Sequence, residues 1–182
     1  MTTANKVTLA RIALIPVFMA LASLPREWAR WAALAVFALA SLTDGVDGYI
    51  ARKYNQVSNF GKFVDPLADK LLVFAALLLF VADGRMPAWA CMLILARELI
   101  VSSLRMVAAS QGVVIQASIW GKVKTLSHLI CILLLLAGVD ALVIWIGPLC
   151  TWIMTLTAVI SGIIYIKDNF AVVRDGVSAK ER

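Results

Sequence analysis

Charge is scarce in this sequence: only 15% of its 182 residues are Asp, Glu, Lys or Arg. A water-soluble domain carries about a quarter. With 62% hydrophobic residues and a mean hydropathy of +0.91, the chain is neither a soluble globular domain nor a disordered one. Cysteine occurs three times, at Cys91, Cys131 and Cys150. That odd number, all within apolar runs, excludes a disulfide scaffold and gives no metal spacing. Histidine occurs once, as His128, and reads as a packing residue. There is no alternation of apolar and polar residues at every second position, which excludes a β-barrel. No five basic residues stand together, so the net charge of +6 reads as attraction to an anionic leaflet, with no nucleic-acid partner. No A-x-A cleavage site follows the first apolar segment, so a removable signal peptide is not expected. No internal repeat, low-complexity segment or soluble domain is visible.

What is present is a series of six apolar runs of roughly 16 to 25 residues, the length a hydrocarbon layer of ~30 Å asks of a helix. They predict an all-α, polytopic membrane protein of one domain over residues 1–182, with spans near 7–24, 29–48, 62–82, 88–110, 123–138 and 142–166. Pro87 stands where a helix starts, a position proline favours. Trp28, Trp31, Trp89 and Trp120 fall at span starts, as interfacial rings do. Thirteen basic residues lie on the side of the two termini, three (Arg26, Arg30 and Arg85) lie in the opposite loops, and Arg97 is mid-span. This asymmetry predicts both termini in the cytoplasm. Arg11 reads as a snorkelling anchor.

Four of the eleven acidic residues, Asp44, Asp47, Asp65 and Asp69, fall near the cytoplasmic ends of spans two and three. Spacings of three and four put each pair on one helix face. Clustered carboxylates at membrane depth repel, and divalent cations neutralise them at least cost. An all-oxygen set suits Mg²⁺ or Mn²⁺, with no His or Cys near enough for zinc. Gly45, Gly48 and Gly61 remove side chains where a ligand or helix approaches. Arg52, four residues after Gly48, suits a phosphate. Metals, arginine and bare backbone together point to phosphoryl transfer by a two-metal clamp. A cation-coupled transporter is the competing class, but its carboxylates would lie near the midplane, in repeated or broken spans. Asp65, followed by Pro66, also reads as a helix N-cap.

The pattern Asp44-x2-Asp47-Gly48-x2-Ala51-Arg52-x8-Gly61-x3-Asp65-x3-Asp69 resembles, at all eight fixed positions, the signature of the CDP-alcohol phosphotransferase family. NFGKFVDPLADKLLV at 59–73, NKVTLAR at 5–11, ARE at 96–98 with Arg105, and GKVKT at 121–125 are similar to its bacterial phosphatidylglycerophosphate synthase branch. The resemblance covers spans one to five, whereas the last span and the tail carry no motif. It implies a six-helix bundle, commonly a homodimer, with a polar cavity facing the cytoplasm and open sideways to lipid. It further implies transfer of the phosphatidyl group of CDP-diacylglycerol to sn-glycerol 3-phosphate at a bacterial cytoplasmic membrane, with CMP released. Phosphatidylglycerol or an inositol phosphate are the alternative acceptors. By matching positions, Asp44, Asp47, Asp65 and Asp69 would hold two divalent ions, and Asp69 would also be the general base. Gly48, Ala51, Arg52 and Gly61 would line the CDP site.

An acceptor carrying a phosphate needs cationic donors in addition. With Arg52 committed to the nucleotide, Arg97, Arg105, Lys122 and Lys124 of spans four and five remain. On a regular helix Lys122 and Lys124 point about 200° apart, which favours Lys124. Arg97 and Glu98 also read as a structural ion pair, and the two lysines as ordinary cytoplasmic-side charges. Glu98 and Arg105, seven apart, share a stripe that reads as the wall of a polar cavity.

Overall fold

The computed structural model describes residues 3–53, 59–110, 115, 118–138 and 140–178, with side chains described at 8–43, 67–68, 70–110, 115, 118–138 and 144–170. Among them are six α-helices and no strand: α1 (Thr3–Ala22), α2 (Glu27–Lys53), α3 (Asn59–Ala82), α4 (Ala88–Ser110), α5 (Ile119–Ala137) and α6 (Asp140–Ser178).

The helix ends follow from local chemistry. Gly84, at φ +72°, closes α3. Its N–H donates to Val81 O at 3.1 Å, and Arg85 N–H donates to Phe80 O at 2.9 Å. These two bonds form a Schellman cap, which places a residue in the left-handed region that glycine enters without penalty. The Pro87 carbonyl then accepts from Ala90 and Cys91, opening α4 as expected. Ser118 caps α5, its Oγ accepting from Gly121 N–H at 3.1 Å, so that helix starts before the expected position 123. α3 starts six residues before Asp65 and runs through Pro66. Asp65 is therefore not an N-cap, and the helix tolerates the one ladder bond that proline removes.

Within the described residues, two helices are long and apolar enough to cross a membrane, at Ile119–Ala137 and Ile144–Phe170. Shorter apolar helical stretches lie at Thr8–Ala22 and Lys70–Ala82. α4 is 23 residues long but is interrupted by Arg97, Glu98 and Arg105.

The chain divides into two compact units. The first comprises residues 1–85 and 132–140. In it α1 packs on α2 and α3. Ala29, Ala33, Phe37 and Ala40 form one buried stripe of α2, whose small residues let the backbones approach. Phe37 meets Phe18 of α1 at a ring distance of 5.5 Å. Arg11, 2% exposed, faces inward rather than snorkelling toward lipid headgroups. A cavity of about 450 Å³ is lined by Arg26, Arg30 and Arg85 among others. It lies at the Glu27 end of α2, about 25 Å along the helix axis from Asp44.

The second unit comprises residues 86–131 and 141–182. Cys150, Met154, Ala158, Ser161 and Tyr165 line the buried face of α6. The hydroxyls of Thr151, Thr155 and Ser161 turn back onto carbonyls three or four residues earlier, which satisfies them inside an apolar helix. All three cysteines are free and buried.

Candidate active site

The four aspartates lie on described helices: Asp44 and Asp47 in α2, Asp65 and Asp69 in α3. Each pair is helical throughout its spacing, so each shares one face of its helix. α2 and α3 pack together within the first unit. The donor set is carboxylate oxygen alone, which fits hard divalent ions. Gly48, Ala51 and Arg52 continue α2, and Gly61 lies in the first turn of α3. The side chains of all eight motif residues lie outside the described ones, as does the segment 54–58 between the two helices.

The second unit brings three of the four acceptor-site candidates into described contacts. Ala90, Ile94, Glu98 and Val101 occupy one buried stripe of α4, so the helix that buries its apolar face also carries a carboxylate inside. Glu98 Oε1 lies 2.7 Å from Arg97 Nη1 and 2.6 Å from Lys124 Nζ of α5. The three side chains are between 8% and 11% exposed. Among the described ion pairs, two cations thus share one buried anion. Because α5 is helical over this stretch, Lys122 turns outward and is exposed, while Lys124 is buried. Arg97 Nε is buried with no hydrogen-bond partner among the described residues, so a donor remains for a bound anion.

Arg105, two turns after Glu98 on the same stripe of α4, has a partner of its own. It extends to α6, where its Nε donates to Tyr165 Oη at 3.1 Å. Its guanidinium carbon is 5.4 Å from the Tyr165 ring centroid. Among the described residues no carboxylate pairs with it, which leaves its two terminal nitrogens as a fork for an anion. His128, 2% exposed, uses Nε2 against Met154 O at 2.9 Å, a packing role that ties α5 to α6.

Sequence reasoning missed what α6 contributes. A groove of about 130 Å³ between α4 and α6 is lined by Arg97, Ile100, Gly162 and Ile163 among others. A Cβ at Gly162 would stand 2.9 Å from Arg97 Cγ. The signals were a lone glycine and a tyrosine inside an apolar run, neither informative until a partner is known.

The comparisons place these features in a family. Residues 1–164 match CDP-alcohol phosphatidyltransferase, and the chain belongs to that family, whose members are divalent-metal-dependent enzymes. It is similar to the CDP-diacylglycerol–glycerol-3-phosphate 3-phosphatidyltransferase of Bacillus subtilis (strain 168), 42% identical over 181 residues, covering 91% of this chain and 94% of that protein. The protein of the same name from Rickettsia bellii is 39% identical over 167 residues, covering 90% of this chain and 92% of that protein. A probable phosphatidylglycerophosphate synthase of Mycobacterium tuberculosis is 42% identical over 132 residues, covering 71% of this chain and 63% of that protein.

Proposed function

We propose that this chain transfers the phosphatidyl group of CDP-diacylglycerol to sn-glycerol 3-phosphate, giving phosphatidylglycerophosphate and CMP. The observation that carries the reading is the complete eight-residue motif on α2 and α3, in a chain resembling named transferases of this specificity over about nine-tenths of its length. Asp44, Asp47, Asp65 and Asp69 are assigned to two divalent ions, Mg²⁺ or Mn²⁺, which when bound neutralise charge on the diphosphate. Gly48, Ala51, Arg52 and Gly61 are assigned to the cytidine diphosphate. Asp69 accepts the proton of the acceptor hydroxyl as its oxygen bonds to the phosphatidyl phosphorus. The bond from that phosphorus to the CMP oxygen breaks, and CMP leaves with the electron pair.

Arg97, Arg105 and Lys124 are assigned to the acceptor's phosphate, while Lys122, the fourth candidate, is exposed on the other side of α5 from Lys124. Support comes from the two cations gathered at Glu98 and from the donors of Arg97 and Arg105 that have no partner among the described residues. The remaining reading is a single-domain homodimer of six-span subunits in the bacterial cytoplasmic membrane, with termini and active site on the cytoplasmic side. The basic-residue asymmetry supports that orientation.

An acceptor screen tests the function. Purified protein with radiolabelled CDP-diacylglycerol is expected to release CMP and form phosphatidylglycerophosphate with glycerol 3-phosphate. Turnover only with phosphatidylglycerol or an inositol phosphate would reassign the acceptor. Cation flux without CMP release would return the transporter reading.

A further inference from the structure

We propose that two residues of α6, Gly162 and Tyr165, are positioning residues for the acceptor phosphate: Gly162 opens the path along which Arg97 runs, and Tyr165 fixes Arg105. The inference rests on the reading that the cations of α4 and α5 take that phosphate. α6 holds no part of the family signature, and it touches both arginines of α4.

The geometry at Gly162 is specific. A Cβ there would lie 2.9 Å from Arg97 Cγ and 3.8 Å from Arg97 Cβ. Cγ is near the root of the side chain, so relieving the contact moves either the whole arginine stem, guanidinium included, or the backbone of one of the two helices. Glycine inside a helix is disfavoured relative to alanine, and here the space it leaves is filled by the arginine stem. Ordinary helix packing also uses glycine. In that role a methyl group would loosen the protein without distinguishing one substrate from the other.

Tyr165 acts by division of labour. It is 2% exposed, and a buried tyrosine hydroxyl needs a partner. That partner is Arg105 Nε. Holding Nε on the hydroxyl, with the guanidinium carbon 5.4 Å from the ring centroid, leaves the terminal nitrogens as a preorganised fork, the geometry that phosphate recognition uses. Gly162 and Tyr165 are three apart, on one face of α6, so one helix surface sets both arginines.

Steady-state kinetics of the full-length enzyme test this, varying each substrate in turn. Tyr165→Phe keeps the ring and removes the hydroxyl; Gly162→Ala adds the methyl. Each is expected to raise the KM for glycerol 3-phosphate about fivefold, the worth of one hydrogen bond, with kcat and the KM for CDP-diacylglycerol within about twofold of the parent. Gly162→Ala is expected to add nothing in an Arg97→Ala background, where the clashing Cγ is gone, as coupled sites behave. Arg105→Ala and Lys124→Ala are the references, expected to raise the same KM at least about tenfold. If these references do so while Tyr165→Phe and Gly162→Ala leave it unchanged, the role of α6 is overturned and the acceptor site stands. If the references leave it unchanged, the acceptor site falls and the α6 role with it. Equal losses on both substrates would mark a structural role and overturn the inference. Should Gly162→Ala fail to fold, Tyr165→Phe alone decides.

Discussion

Lys124 Nζ lies 2.6 Å from Glu98 Oε1, the same oxygen that Arg97 reaches at 2.7 Å. A buried anion shared by two cations is costly to remove, because two charges then lose their compensation in a poorly solvated place. Glu98→Ala is expected to destabilise the protein by about 3 kcal/mol or more, read as a lowered midpoint of thermal unfolding in detergent. Glu98→Gln, which keeps the acceptor oxygen, should lose less. A parental midpoint in both variants would contradict the buried triad.

Asp69→Asn tests the assignment of the base. Turnover is expected to fall by about 10²–10⁴-fold or more, the contribution of a positioned base, while CDP-diacylglycerol binding persists. Near-parental turnover would remove Asp69 from that role.

If Asp44, Asp47, Asp65 and Asp69 form one site as assigned, their carboxylates need counter-charge to stay ionised together at a membrane boundary. Activity is therefore expected to vanish in excess EDTA and return on addition of Mg²⁺ or Mn²⁺. Full activity in the chelator would exclude the two-metal assignment.

The topology is open to labelling. In a variant lacking Cys91, Cys131 and Cys150, single cysteines placed at positions 3 and 178 should react only from the cytoplasmic side. Labelling of either from outside would refute an even number of spans with both ends inside.

The helices were legible where an apolar run and a helix coincide. Residues 88–110 are expected and observed as α4, with Pro87 marking the start. Where the two part company, the helix outlasts the run. α2 continues past Gly48 to Lys53 because Ala51, Arg52 and Lys53 are good helix formers. α6 likewise continues past Ile166 through Lys167 and Asp168. The motif on α2 and α3 was readable because its spacing lies within two local segments. The pairing of Arg105 with Tyr165 was not, since sixty residues separate them and nothing in the spacing of either names the other. Lys124 could be preferred to Lys122 on helical phase alone, but its partner Glu98 lies on another helix.

α6 has a further consequence through its length. Its described apolar run before Lys167, residues 144–166, is about 35 Å long, roughly 5 Å more than the oily interior of an average bilayer. In such a bilayer the helix must lean, or the surrounding lipid tails must stretch to match it. Gly162 and Tyr165 occupy the last third of that run, close to the charged pair Lys167 and Asp168, so the arginines they touch lie toward one end of the helix rather than at its middle.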